Sequence, residues 1–110
     1  MAGEQAMKFR YDKEQDILLL HLGYGADECF VTNIDAGPVI LDVADSGRVR
    51  GIEILDASRV LAPFLDPAVL ATVTGGKLAT IPSGSGYVVT LELNHAHGRS
   101  PAVIAISSSD

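Results

Sequence analysis

The sequence is poor in cysteine, in basic residues and in long apolar runs. Its single cysteine, Cys29, excludes an intramolecular disulfide and a zinc site built from several thiolates. Eight lysines and arginines stand against fourteen aspartates and glutamates, which gives a formal net charge of -6. Phosphate backbones are bound by clustered Lys and Arg, and here these residues are scattered. We therefore predict that the protein does not bind nucleic acid.

No apolar run approaches the roughly 20 residues that a membrane-spanning helix needs. The N-terminal stretch MAGEQAMKFRYDKEQD is polar and lacks the apolar core of a signal peptide. A lone cysteine also suits a reducing compartment. We therefore expect a soluble, cytoplasmic protein with no membrane partner, in which residues 1–7 form a flexible leader.

Short apolar stretches with a period of two are abundant, and turn residues separate them. The clearest examples are ILLLHL, VILDV and RVRGIEIL, and the ADSG between the last two is a strong signal for a tight turn. The whole chain predicts about seven short strands and one or two helices. This pattern indicates an α+β fold in one compact domain, dominated by antiparallel β-hairpins.

The second half, residues 63–110, is expected to add a helix and two or three strands that pack on the first module. Asp66 can cap a helix, Pro67 fits its first position, and Gly75 can end it. A strand over residues 69–74 is the alternative, because β-branched residues are frequent there. KLATI, YVVTLELN and AVIAI are predicted strands, and PSGSG and HAHGRSP are predicted connections.

Strand alternation predicts the direction of the charged residues in the VILDV–RVRGIEIL hairpin. Ile52 and Ile54 face the core, so Glu53 points outward, and Asp42 does the same on the neighbouring strand. Val49 is out of phase with the two isoleucines. Gly51 lies where a β-bulge would correct the phase.

FRYDKEQDILLLHL, followed by GPVILDVADSGRVRGIEILDAS, resembles the small bacterial and archaeal family called domain of unknown function 2283 (DUF2283). The resemblance covers about residues 8–62 and does not extend to the rest of the chain. It implies a small antiparallel sheet with a helix packed on it, and it brings no activity, cofactor or catalytic residue. Some such proteins resemble small partner proteins encoded beside toxin-like proteins, which favours a protein-binding role.

Two groups of residues are the candidates for chemistry. His95 and His97 would chelate a divalent metal if they shared one strand face, but their glycine- and proline-marked surroundings predict a solvated loop. Asp42, Glu53 and His21 would be the acid–base set of an enzyme. Strand alternation instead predicts that the two carboxylates face solvent and that His21 is partly buried with an ordinary hydrogen bond. We predict no catalytic, cofactor or metal site.

A protein interface is the interpretation that the sequence favours. The stretch ILLLHL has apolar residues on both faces, and several strands offer open edges, which self-association commonly covers. We expect a homodimer or other homo-oligomer, or a complex with a small protein partner. The acidic surface would favour a basic partner. The alternative is a small enzyme or ligand-binding domain that uses Asp42, Glu53 and His21.

Overall fold

Eight strands and two short helices follow one another along residues 8–107, the part of the chain that the computed structural model describes. The predicted leader at residues 1–7 lies outside the described residues. The strands are β1 Lys8–Asp12, β2 Ile17–His21, β3 Phe30–Ala36, β4 Val39–Ala44, β5 Val49–Ile54, β6 Gly75–Ser83, β7 Gly86–His95 and β8 Gly98–Ser107. The helices are α1 Ala57–Val60 and α2 Pro67–Leu70.

The strands form two sheets in which every pair of neighbours is antiparallel. The first has five strands in the order β1-β2-β5-β4-β3, and the second has three in the order β6-β7-β8. The prediction of antiparallel hairpins is confirmed. The α+β class is too helical, because α1 and α2 have four residues each and the described chain is mostly β.

The helix predicted after Asp66 begins as expected but ends early. The Asp66 carboxylate accepts a hydrogen bond from the Ala68 N–H at 2.8 Å, and Pro67 occupies the first turn. The helix ends at Leu70, before the β-branched Thr72, Val73 and Thr74, which lose side-chain freedom in a helix. Gly75 does not end the helix and is instead the first residue of β6.

Residues of both sheets form one apolar cluster, which joins the two halves of the chain. Strand alternation turns one face of each sheet inward, and burial of these aliphatic side chains is the main stabilising contribution. The largest fully buried side chains are Leu18, Leu20, Leu41, Ile52, Ile54, Leu61, Leu70, Val89, Leu91 and Leu93.

A β-bulge in β5 confirms the expectation at Gly51. Asp42 lies opposite Gly51, but the next residue, Val43, lies opposite Val49, so Arg50 is the extra residue. The bulge brings Val49 to the buried side together with Ile52. Gly51 itself lies on the outer face of β5, opposite His21 of β2 and Asp42 of β4.

The stretch HAHGRSP is not the loop that the sequence predicts. Strand β7 continues to His95 and β8 begins at Gly98, so only two residues connect them. Gly98 has a φ of 127°, a conformation that favours glycine at this tight turn.

Candidate functional site

The three predicted outward residues lie on the outer face of the five-stranded sheet, in two neighbouring rows. One row contains His21, Gly51 and Asp42 on adjacent strands β2, β5 and β4. The next row places Glu53 between an isoleucine and a leucine of those same neighbours, Leu19 and Ile40. Asp42 and Glu53 therefore share a face, as predicted, but they do not lie opposite each other.

His21 and Asp42 form the closest pair in this group. The imidazole Nε2 lies 3.8 Å from Asp42 Oδ2, and the His21 side chain is 15% exposed. Its other nitrogen, Nδ1, accepts a hydrogen bond from the Gly23 N–H at 2.8 Å. In neutral His21 the proton therefore resides on Nε2, facing Asp42, which leaves no free lone pair for proton abstraction.

Burial is the main cause that lowers the pKa of His21, with smaller contributions from Arg50 and Lys8. Asp42 opposes the decrease, since a carboxylate favours the imidazolium. The net direction is downward, so the folded protein favours the neutral ring. The partly buried, hydrogen-bonded histidine predicted from the sequence is confirmed.

Gly51 allows His21 to lean across β5 toward Asp42. A β-carbon at this position would lie 2.5 Å from His21 Cδ2 and 3.2 Å from Asp42 Oδ2. Tyr24 packs edge-on against the imidazole, with the ring centroids 4.9 Å apart. The glycine-containing segment around Tyr24 thus covers His21 and contributes to its low exposure.

Two shallow depressions flank Leu19 on this face. One of about 270 Å³ is lined by Lys8, Leu19, His21, Tyr24 and Asp42. The other, of about 220 Å³, contains Glu53 and is lined also by Arg10, Asp12, Gln15, Ile17 and Leu19. The predicted trio is therefore divided, with His21 and Asp42 on one side of Leu19 and Glu53 on the other.

Glu28 anchors the segment that carries Tyr24. Its carboxylate accepts hydrogen bonds from the Gly25 N–H and the Ser46 hydroxyl and lies 3.5 Å from Arg50 Nε. The Ser46 and Gly25 hydrogen bonds lower the pKa of Glu28, and Arg48 and Arg50 contribute to the decrease. Arg50 also donates to the Gly23 carbonyl at 2.7 Å. These contacts hold the segment against the β4–β5 turn.

Asp16 is the centre of a second hydrogen-bond network, which the sequence analysis does not predict. Its carboxylate accepts from the Tyr11 hydroxyl at 2.6 Å, the Ser58 hydroxyl at 2.6 Å and the Ser58 N–H at 3.0 Å. Its carbonyl accepts from the Ala57 N–H. Asp16 thereby joins the β1–β2 turn to the start of α1. The aspartate directly before ILLLHL was the available signal, but nothing local links it to Ser58.

The residues of the stretch GIEILDAS have different structural roles. Ile52, Ile54 and Ala57 are buried, and Ser58 is held by Asp16. Asp56 adopts the left-handed conformation before α1, with a φ of 53°. Glu53 is in none of the ion pairs formed within residues 8–107.

His95 and His97 have hairpin contacts instead of a metal-like arrangement. His95 Nε2 lies 2.8 Å from the Ser100 hydroxyl, and its Nδ1 accepts the His97 N–H at 3.1 Å. Both ring nitrogens of His95 are therefore engaged within the β7–β8 hairpin. Within residues 8–107, no three side chains of His, Cys, Asp or Glu are gathered as metal ligands.

The outer face of the three-stranded sheet carries two of the five exposed large apolar side chains within residues 8–107. Ile81 is 60% exposed and Val103 is 52% exposed. Two adjacent rows of cross-strand neighbours run over β6, β7 and β8 on this face. They are Ile81–Val88–Ala105 and Ala79–Thr90–Val103. We call the set Ala79, Ile81, Val88, Val103 and Ala105 the aliphatic patch. A salt bridge between Arg99 and Glu92, at 3.6 Å, lies toward one end of it.

The fold and these surfaces define a small antiparallel β protein with two sheets. Residues 8–58 match the model of the family described as "Protein of unknown function (DUF2283)", which confirms the resemblance for this part of the chain. No helix within residues 8–107 is long and apolar enough to cross a membrane.

Part of the chain is also similar to a protein of the archaeon Methanosarcina mazei named "Putative hypoxanthine phosphoribosyltransferase". The two are 37% identical over 51 residues, which is 46% of this chain and 39% of that protein. The match thus spans less than half of the relative's length. No solved structure shows significant similarity to the chain.

Proposed function

We propose that this protein is a non-catalytic protein-interaction module that acts as a homo-oligomer, with a dimer as its simplest form. The observation that supports this most is the aliphatic patch on the outer face of the three-stranded sheet. Apolar surface of this kind, spread over three strands, is costly in water and is a recurrent feature of protein interfaces. Burial against a second chain would remove that cost.

The geometry around His21 supports binding over catalysis. A general base needs a free lone pair aimed at the substrate, whereas His21 Nδ1 is occupied by Gly23 and Nε2 faces Asp42. Glu53 stands in a separate depression. The activity in the archaeal relative's name is not carried to this chain, since the shared segment covers only 39% of that protein.

A matched pair of substitutions tests the proposal. Val103→Glu places a charge in the aliphatic patch, and Val31→Glu places the same charge on β3 of the other sheet at nearly equal exposure, 52% against 55%. We expect the wild type to be oligomeric by light scattering. We also expect Val103→Glu to raise the dissociation constant at least about tenfold, because a buried unpaired carboxylate costs more than 1.4 kcal/mol.

Val31→Glu is expected to leave the solution mass unchanged. A wild type that stays monomeric at high concentration would contradict the proposal. Equal weakening by both variants would show that the aliphatic patch is not the surface involved.

A further inference from the structure

Four strands within residues 8–107 have one edge without a strand partner: β1, β3, β6 and β8. Three carry the features that prevent edge-to-edge pairing. Strand β1 has three charged residues in five, β6 contains Lys77 and Pro82, and β3 has a bulge between Phe30 and Thr32 and then Asp35. Strand β8 has Arg99 and Pro101 in its first half only.

The second half of β8, residues 102–107, reads AVIAIS and has neither a charge nor a proline. It is the longest such stretch among the four described edges. An uncharged aliphatic strand with one free edge is a template for pairing with another strand. Two antiparallel copies of it would meet without like-charge repulsion.

The register shows which backbone groups of β8 are free. His95 and Gly98 flank a two-residue turn, so they form the hydrogen-bonded pair that begins the ladder. Even-numbered residues of β8 therefore bond to β7, and the N–H and C=O groups of Val103, Ala105 and Ser107 point to the open edge. Pro101, which has no N–H, lies at one of these outward positions, as expected for an edge strand.

A groove beside this edge offers room for the side chains of an added strand. It has a volume of about 380 Å³ and lies between the β3–β4 turn and β8. Its walls include Pro38, Val39, Val60, Ile104 and Ile106. Antiparallel pairing places inner-face residues opposite inner-face residues, so the second strand's Ile104 and Ile106 would enter this aliphatic groove.

We infer that β8 pairs antiparallel with β8 of a second copy of this chain, through residues 102–107, to form a continuous six-stranded sheet. A two-fold axis makes such a pair self-complementary. The pairing would also set Val103 and Ala105 of the two aliphatic patches side by side across the joined edge, so that the second chain covers the β8 part of each patch. This inference rests on the proposed homo-oligomer and names its interface.

Proline substitutions at the two edges of the same sheet test the inference. Ala105→Pro removes an outward N–H from β8, and Thr80→Pro removes the corresponding outward N–H from β6, where Pro82 already occupies such a position. We expect Ala105→Pro to raise the dissociation constant at least about tenfold by light scattering and Thr80→Pro to leave it unchanged. Circular dichroism of each variant establishes that the sheets are retained.

Amide hydrogen exchange of the wild type gives a second measurement that does not depend on a variant folding. We expect the Val103 and Ala105 amides to exchange slowly at concentrations where the protein is oligomeric, and the Thr80 amide to exchange fast. An oligomeric wild type with fast exchange at Val103 and Ala105, and with no effect of Ala105→Pro, overturns the β8 interface but leaves the proposed function standing. A monomeric wild type overturns both.

Discussion

The substitution Asp16→Ala is expected to cause one of the largest losses of stability that a single half-buried polar residue of this protein can give. The change removes three side-chain acceptor contacts, from the Tyr11 hydroxyl, the Ser58 hydroxyl and the Ser58 N–H. It also places alanine at a φ of 58°, where Asp and Asn are better tolerated. Of the hydrogen bonds that Asp16 makes to α1, the one from the Ala57 N–H to its carbonyl would remain.

The expected magnitude follows from these contacts. A hydrogen bond to a charged group contributes about 1.5–3 kcal/mol, and water replaces part of this at a half-buried site. Left-handed strain for alanine adds about 1 kcal/mol. We expect a decrease of about 3 kcal/mol in the free energy of unfolding. Asp16→Asn, which keeps the backbone preference and one acceptor oxygen, should lose about half of this.

Urea denaturation followed by circular dichroism measures the effect, because the chain has no tryptophan. Asp35→Ala, on the exposed edge strand β3, is the matched control and should change stability by less than about 0.5 kcal/mol. If Asp16→Ala costs no more than Asp35→Ala, the network around Asp16 does not join the turn to the helix, and this reasoning is wrong.

Three further predictions concern titration and packing. Burial, the Asp16 hydrogen bond and nearby carboxylates raise the pKa of Tyr11 to about 12. The stability of the fold should therefore decrease as the pH rises from about 10 toward 12. Asp16→Asn should lower the pKa of Tyr11 in an absorbance titration. Burial lowers the pKa of His21 below 6.5; the unfolded chain then binds the proton more readily, so stability should fall as the pH drops below about 6.5. Asp42→Asn should lower the pKa of His21 further by NMR. Gly51→Ala should destabilise the fold by about 1–3 kcal/mol through overpacking against His21, and His21→Ala in the same chain should recover part of that loss in thermal unfolding.

Local alternation predicted the hairpin around Glu53 correctly for a physical reason. With one face buried, a strand cannot shift by one residue without exposing its aliphatic side chains, so Ile52 and Ile54 determine the direction of Glu53. Gly51 could be assigned to a bulge because Val49 needed the same buried face. The same logic placed Asp42 and His21 on the outer surface.

Contacts between residues distant in the sequence could not be predicted in this way. Asp16 and Ser58 are 42 residues apart, and only the topology brings them together. The division of His21 and Glu53 between two depressions depends on the register of three strands. The free edge of β8 is likewise a property of strand order, which alternation along one strand does not contain.

The helix at Asp66 is shorter than predicted because a cap starts a helix but does not determine its length. Asp66 and Pro67 start a helix as the sequence indicates, yet Thr72, Val73 and Thr74 follow it directly. A cap contributes about 1 kcal/mol and does not propagate a helix through residues that prefer extended structure. The loop predicted at His95 and His97 was wrong for a different reason. A two-residue turn before Gly98 lets both strands continue.

The most direct test of the account is the solution mass of the full chain, measured by light scattering across a wide concentration range. We predict a mass of at least twice that of one chain. Val103→Glu and Ala105→Pro should shift dissociation to the monomer to concentrations at least about tenfold higher, and Val31→Glu and Thr80→Pro should leave it unchanged. A monomer mass for the wild type at the highest concentration would contradict the proposed homo-oligomer.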